Sequence, residues 1–391
     1  MLIARRCAVV LAVVTSTLAL PGIARADWSQ FHASQTRSGV VSTETVLTAL
    51  TAPSIHELWG APTDPTTEGI NSSPAVAGGL AYIGSDDGSL WAFDAITGAP
   101  VWRDPVGAQV RTSPAVADGR VFFGSAAGVV YADDALTGAR LWSYVTGGNV
   151  TAPPLVVGTT VYICPRSGSF VALDVATGAM LWKANVWGMW GGAAYAKGVV
   201  YVGSEQSKVF AFDALTGAPV WSTGLGARVR STPSVADGRV FVGTDAGNVV
   251  SLAADTGKVL WSQPGSPPST NAVIRSSPAV AGGRVFVATA ETTPMDGDAV
   301  AFDEKTGAVD WRADYIADYS TSSPAVANGV VYVGSYDTRL YAIKAGSGKL
   351  LWAPAWGTQN MDRGFNSSPA IANGRVYIGC RDGSLYAFGI G

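Results

Sequence analysis

Eight tryptophans, Trp59, Trp102, Trp142, Trp182, Trp221, Trp261, Trp311 and Trp352, follow one another at intervals of 43, 40, 40, 39, 40, 50 and 41 residues. The last seven each stand four residues after a glycine, as in TGAPVW at 97–102, TGARLW at 137–142 and TGKVLW at 256–261. Self-similarity at a period near 40 residues means one supersecondary unit stacked on copies of itself. No single copy can bury its apolar face, so the copies must pack on one another.

Each unit contains four short segments separated by turn signals, as in SSPAVANGVVYVGSYDTRLYAIKAGSGKLLW at 322–352. Short β-branched and aromatic runs bounded by Asp-Gly, Asn-Gly and Thr-Gly are antiparallel strands joined by tight turns. Four strands per unit make a propeller blade. Small residues dominate the first strand (Ala75, Ala115, Ala279, Ala325, Ala370), as an innermost strand requires where blades crowd at the axis. The Asp-x-x-Thr-Gly turn recurs at Asp94, Asp134, Asp174, Asp213 and Asp303, a pattern in which the carboxylate caps turn amides and Gly takes a positive φ. Each periodic Trp is expected to wedge between neighbouring blades with its indole N–H satisfied nearby.

First strands are expected at Ser72, Thr112, Thr151, Gly191, Ser231, Ser276, Ser322 and Ser367, a count of eight. The chain stops after a third strand near Phe388, whereas Trp59 belongs to a fourth strand with no unit before it. The fold expected is therefore all-β: an eight-bladed propeller of four-stranded antiparallel blades, its ring closed by the N-terminal strand around Ile55 and Trp59. Closure also removes free sheet edges.

The chain opens with Arg5-Arg6, an apolar run at 7–20 and Ala24-Arg25-Ala26. This is the pattern of a secretory signal peptide over 1–26, leaving 27–391 as a single exported domain, periplasmic or secreted. Arg5-Arg6 leaves both the general and the twin-arginine export routes open. Removing the leader takes three of 26 basic residues and none of 29 acidic ones, leaving a net charge of −6. That balance argues against nucleic acid as a partner. No later apolar run is long enough to span a membrane, and a monomer is expected. Only Cys164 and Cys380 follow the leader, in distant repeats, so covalent staples are not expected to hold the fold.

The A-x-D-x-x-T-G-x-x-x-W repeat and the segment Asp27-Trp-Ser-Gln-Phe-His resemble the pyrroloquinoline-quinone (PQQ)-type propeller repeat family over essentially the whole of 27–391. That family includes PQQ-dependent alcohol dehydrogenases, the propeller lipoprotein of the outer-membrane β-barrel assembly machinery, and other exported propellers. The resemblance implies the architecture and leaves the function open.

In such a ring the residue before each first strand faces the mouth of the central funnel. Those residues are Asn71, Arg111, Val150, Trp190, Arg230, Arg275, Thr321 and Asn366. Three arginines in an acidic protein suit a small anionic ligand, through bidentate hydrogen bonds to carboxylate or phosphate, or else pair with neighbouring Asp and Glu. Blade four departs most from the repeat, opening with Val186-Trp187-Gly188-Met189-Trp190 in place of Ser-x-Pro. By resemblance, Trp190 and Arg111 are similar to dehydrogenase residues that contact the quinone, which leaves PQQ with calcium open as a cofactor. Three departures stand against it. There is no adjacent Cys-Cys pair, no acidic residue at 265–274, and Cys164-Pro-Arg-Ser-Gly stands where the family has a calcium-binding Glu. The acidic stretch 291–298 and Asp314/Asp318 are oxygen-ligand candidates, read here as solvated loops. His32 and His56, the only histidines, both precede the repeats, so a Ser-His-Asp or His-rich metal site in the funnel is not expected. Two readings follow: a binding or scaffold propeller acting through funnel or rim on a ligand or protein partner, or a PQQ-dependent (or other funnel-based) oxidoreductase of alcohols or similar small substrates.

Overall fold

A computed structural model describes residues 27–63, 69–166, 168–266, 272–292, 295–316, 321–354 and 364–391; the leader lies outside them. The periodic strands assemble into eight antiparallel sheets arranged as blades. Blade 1 is Ala75–Ala77, Leu80–Ser85, Ser89–Asp94 and Pro100–Pro105, and blades 2 to 7 repeat it. Blade 8 contributes Ala370–Ala372, Arg375–Gly379 and Ser384–Gly389, and its outermost strand is His56–Pro62, paired through Trp59↔Ala387. The N-terminal strand therefore closes the ring as the unpaired Trp59 requires. Blade 6 carries the 50-residue interval: its second and third strands extend into a hairpin (Ala290–Thr292 against Met295–Asp303) that Ala272–Val273 joins.

The tryptophan series and the glycine series are the two halves of one joint. The ring of Trp102 in blade 1 lies on Gly138 of blade 2, where an added Cβ would sit 2.7 Å from it. The same pairing holds for Trp59 on Gly98, Trp142 on Gly178, Trp182 on Gly217, Trp221 on Gly257, Trp261 on Gly307 and Trp311 on Gly348. The indole N–H then donates to a carbonyl of the same turn: Trp102 Nε1 to Ala135 at 3.0 Å, Trp142 Nε1 to Val175 at 2.9 Å. Trp59 is the exception. Its N–H has no hydrogen-bond partner, and the equivalent carbonyl of Ala95 accepts instead from Tyr377 Oη (2.9 Å) and Arg375 Nη1 (2.8 Å). The turn carboxylates act as the repeat implied: Asp94 Oδ1 accepts from the N–H of Ile96 and Thr97 and from Thr97 Oγ1. Those bonds hold the exposed Asp94 carboxyl below the usual range.

Around the axis, the paired hydroxyls before each inner strand have separate uses. The first clamps its own blade, as Ser72 Oγ accepts from Gly84 N–H at 3.1 Å. The second accepts from the N–H of the preceding blade: Ser368 N to Ser73 Oγ and Ser73 N to Ser113 Oγ, both 2.9 Å. This chain of bonds breaks at blades 3 and 4, where Ala152 and Gly192 lack a hydroxyl.

What the segment before the closing strand does is visible only in the folded ring. It threads across the end of the channel opposite the funnel mouth and bonds to the inner strands of seven blades and to the turn after the inner strand of blade 8. Trp28 exchanges two backbone bonds with Val76, Ser29 O accepts from Val116 N, and Gln30 Oε1 accepts from Val156 N. Gln35, Thr36, Ser38 and Gly39 carbonyls accept from Tyr195, Val235, Val280 and Val326 at 2.8 Å each. Val40–Val41 then adds a parallel strand to blade 7, and Glu44 Oε2 accepts from Gly374 N of blade 8 at 2.9 Å. At the centre Arg37 is fully buried, its guanidinium donating to the carbonyls of Ala193, Phe31 and Pro154. His32 is buried beside it with Nδ1 3.1 Å from Arg37 O.

Two further differences from the sequence reading appear. The described residues of 291–298 pair as strands rather than forming a solvated loop; Glu291 and Asp298 are buried, and Asp298 meets Arg312 Nη1 at 3.0 Å. In blade 2, buried Asp133 stands where blades 1, 3, 4 and 5 place Phe93, Leu173, Phe212 and Leu252. It is held on one side by Arg140, which also reaches Asp104 of blade 1, and its Oδ2 has no partner.

Two outcomes are expected. Gly178→Ala combines a φ of +71° with a Cβ 2.7 Å from Trp142, whereas Gly147→Ala has a φ of +79° and open space around it. Chemical denaturation should show G147A losing about 1 kcal/mol and G178A at least ~2 kcal/mol more, the difference isolating the Trp contact. Burial depresses His32 from 6.5 to about 3. Below pH 6.5 the unfolded chain therefore binds a proton that the folded chain refuses, and stability falls with pH until about 3. Between pH 7 and pH 5 wild type should lose roughly 2 kcal/mol more than His32→Gln in the same denaturation assay.

Candidate functional site at the funnel mouth

The residues before the inner strands converge at the mouth, roughly 15 Å along the channel from the plug. They do not form an even ring. On one side the sequence candidates join directly: Thr321 Oγ1 donates to Asn366 Oδ1 and Asn366 Nδ2 to Asn71 Oδ1, both at 2.6 Å. Asn71 Nδ2 continues to Asp86 Oδ2 at 2.9 Å, and Arg111 grips the same carboxylate with Nε (2.9 Å) and Nη2 (3.0 Å). The Asp86 side chain is 1% exposed, so this fork holds an almost fully desolvated charge.

On the other side Arg230 donates to Glu205 Oε1 from Nε (3.0 Å) and Nη2 (2.6 Å) and reaches Asp245 at 3.4 Å. Arg275 meets the same Asp245 at 3.3 Å. Burial alone would raise the Glu205 carboxyl; the hydrogen bond and charge of Arg230, with a hydrogen bond from Trp190, bring it below the usual range instead. The Arg166 guanidinium lies 3.6 Å from the centre of the Trp190 ring and that of Arg230 4.9 Å. Among the described residues Arg166 meets no carboxylate. Val150 is buried.

Trp187 stands apart from this arc. Its ring lies over Gly168 in the neighbouring blade's turn, and it is 64% exposed, against 36% for Trp190. Burying a Trp is worth several kcal/mol in cores and at interfaces, so two exposed rings on one rim form an unusual surface.

Sequence reasoning missed Asp86, Arg166, Glu205 and Asp245, all from turns between second and third strands. Those turns share the funnel face, and the charged residue two positions beyond Gly84, Gly203, Gly243 and the equivalent Cys164 would have flagged them. The arginines take the second of their two expected roles, pairing with protein carboxylates.

The donor set does not fit a quinone held with calcium. Two guanidiniums already lie over Trp190, and Asp86, Glu205 and Asp245 are each engaged by arginine. Among the described residues no three His, Cys, Asp or Glu side chains come together as a metal centre. Asp318 lies outside the described residues. Cys164 and Cys380 are buried free thiols.

The family model described as "Outer membrane protein assembly factor BamB" matches residues 42–190 and 184–388. No curated protein sequence matches the chain significantly. Among solved structures the chain is similar to BamB from Moraxella catarrhalis (TM-score 0.71, 20% identity, covering 86% of this chain and 97% of that one). It is also similar to a quinohemoprotein alcohol dehydrogenase from Pseudomonas putida HK5 (0.77, 16%, 94% and 80%) and to a europium-containing methanol dehydrogenase (0.75, 15%, 93% and 98%). At these identities the structural likenesses establish the fold. Among the described residues no helix is long and apolar enough to cross a membrane.

If the Glu205–Arg230 pair sets the charge of this arc, Arg230→Ala should move the Glu205 carboxyl titration upward, read by carbon-detected NMR. Lys349→Ala, in the turn between the third and outermost strands of blade 7, should leave it in place.

Proposed function

The chain belongs to the family described as outer membrane protein assembly factor BamB, and from that premise we propose that it is an exported, non-catalytic binding propeller. It holds a protein partner on the funnel rim over blades 3 to 5. One observation carries the reading: Trp187, over Gly168, and Trp190, beside Arg166, both stand exposed on the rim where the axial hydroxyl chain is broken, and Trp and Arg are the residue types that anchor protein interfaces. Arg166 supplies a cation for a carboxylate of the partner, while Glu205 and Asp245 keep Arg230 and Arg275 in place. The family description and the leader pattern at 1–26 support export to the cell envelope. The alcohol dehydrogenase likeness rests on fold alone, and the funnel side chains lack the donor set such chemistry would use.

The reading is tested by placing a photo-crosslinking residue at position 187 and, as a control, at exposed Leu215 on the opposite face, in cells exporting the protein. A discrete adduct from 187 that Arg166→Ala reduces by about tenfold is expected. Smears of equal intensity from both positions would refute a rim site. In parallel, the purified protein mixed with PQQ and calcium should show no thermal shift and no dye-linked alcohol oxidation; turnover would restore the oxidoreductase reading.

A further inference from the structure

On the plugged face, between blades 4 and 5, lies a cleft of about 350 Å³. Its floor is Gln35 and Thr36 of the threading segment, and its walls are the inner strands Ala194–Ala196 and Ser234–Ala236 with the turns that follow them. The lining is mainly apolar, and the volume lies at the lower end of the range typical of small-molecule pockets.

Two departures from the repeat coincide at this cleft. The second residue of the inner strand is Val in six blades and Ile371 in blade 8, and its N–H donates to the threading segment in seven of the eight. Blade 4 places Tyr195 there, and its hydroxyl makes no hydrogen bond with a described residue. Two residues later every blade has a turn residue at positive φ, which is Gly, Asp or Asn everywhere except blade 4. There Lys197 holds a φ of +49°, a conformation that disfavours a long unbranched side chain relative to those three. An accepted backbone cost at one copy of a repeat is a sign of use rather than of packing. Across the cleft Asp237 occupies the matching turn position of blade 5, and it does not pair with Lys197.

We propose that this cleft binds a short zwitterionic peptide of about dipeptide size with an aromatic or branched side chain. The apolar side chain lies against Tyr195 and Val235 over Thr36. The carboxylate end faces Lys197 and the ammonium end faces Asp237, so the two charges of the ligand are matched at the separation that the cleft imposes. The site lies on the face opposite the Trp187 rim and is independent of the partner bound there.

The probe is alanyl-phenylalanine, titrated into the purified protein by calorimetry. The free dipeptide should bind with a Kd of ~1 mM or tighter. Its N-acetyl and C-amide forms should each bind about tenfold more weakly, as should Tyr195→Val and Lys197→Asn. Both substitutions restore residues that other blades already use at these positions, Asn328 and Asn373 among them, so thermal unfolding should confirm that the fold is kept. Trp187→Ala should bind as wild type does. Absence of binding up to ~10 mM, capped peptides binding as well as the free one, or either cleft variant binding like wild type would overturn the proposal.

Discussion

The contact on which the rest depends is a tryptophan face laid on the glycine of the next blade. It needs a large flat ring on one side and no Cβ on the other, and the glycine must also take a positive φ to turn the chain. The indole N–H then reaches a carbonyl of that same turn, so packing and hydrogen bonding fix the same offset between blades. Repeated around the axis, this offset fixes the stacking of the ring. The one interface without the joint lies between blades 7 and 8, because the third and outermost strands of blade 8, Ser384–Gly389 and His56–Pro62, are not joined by a turn that would supply the glycine. Trp352 meets Phe388 edge-on there instead, with ring centres 5.9 Å apart.

A ring of similar blades has an axial problem: every inner strand presents unused backbone groups toward the channel. The chain meets it differently at each end. At the mouth, Ser and Thr hydroxyls and a hydrogen-bonded series of polar side chains satisfy one another. At the other end the residues before the closing strand supply backbone carbonyls, and two side-chain oxygens, to all eight blades. The buried Arg37 is the cost of that arrangement. Burial pulls its guanidinium down to about 9, and three carbonyls rather than a carboxylate hold it.

Departures from the repeat collect in blade 4. Its inner strand begins without hydroxyls, its opening carries Trp187 and Trp190 on one face, and Tyr195 of the inner strand and Lys197 of the turn after it stand on the other. A blade in a ring of eight can absorb such departures, because stability in a repeat ring is shared among many similar interfaces. Function and fold are thereby separated within one sequence. The periodic positions build the ring, and the aperiodic ones shape its two faces.

The Trp and Gly periods determined the blade count, the strand order, the closing strand and the face on which Asn71, Arg111 and Arg230 would stand. These are consequences of local chemistry repeated at fixed spacing: turn types, strand alternation and a ring that must close. Which side chains meet across the funnel was decided only by the tertiary structure. Asp86 with Arg111 and Glu205 with Arg230 come from different blades and turns, and nothing in the period says which carboxylate an arginine will find. The same holds for the threading segment, since His32 and Arg37 lie outside the repeat and their environment is assembled from blades more than 100 residues away. Periodicity encodes neighbours along the ring. Contacts across its axis exist only once the ring has closed.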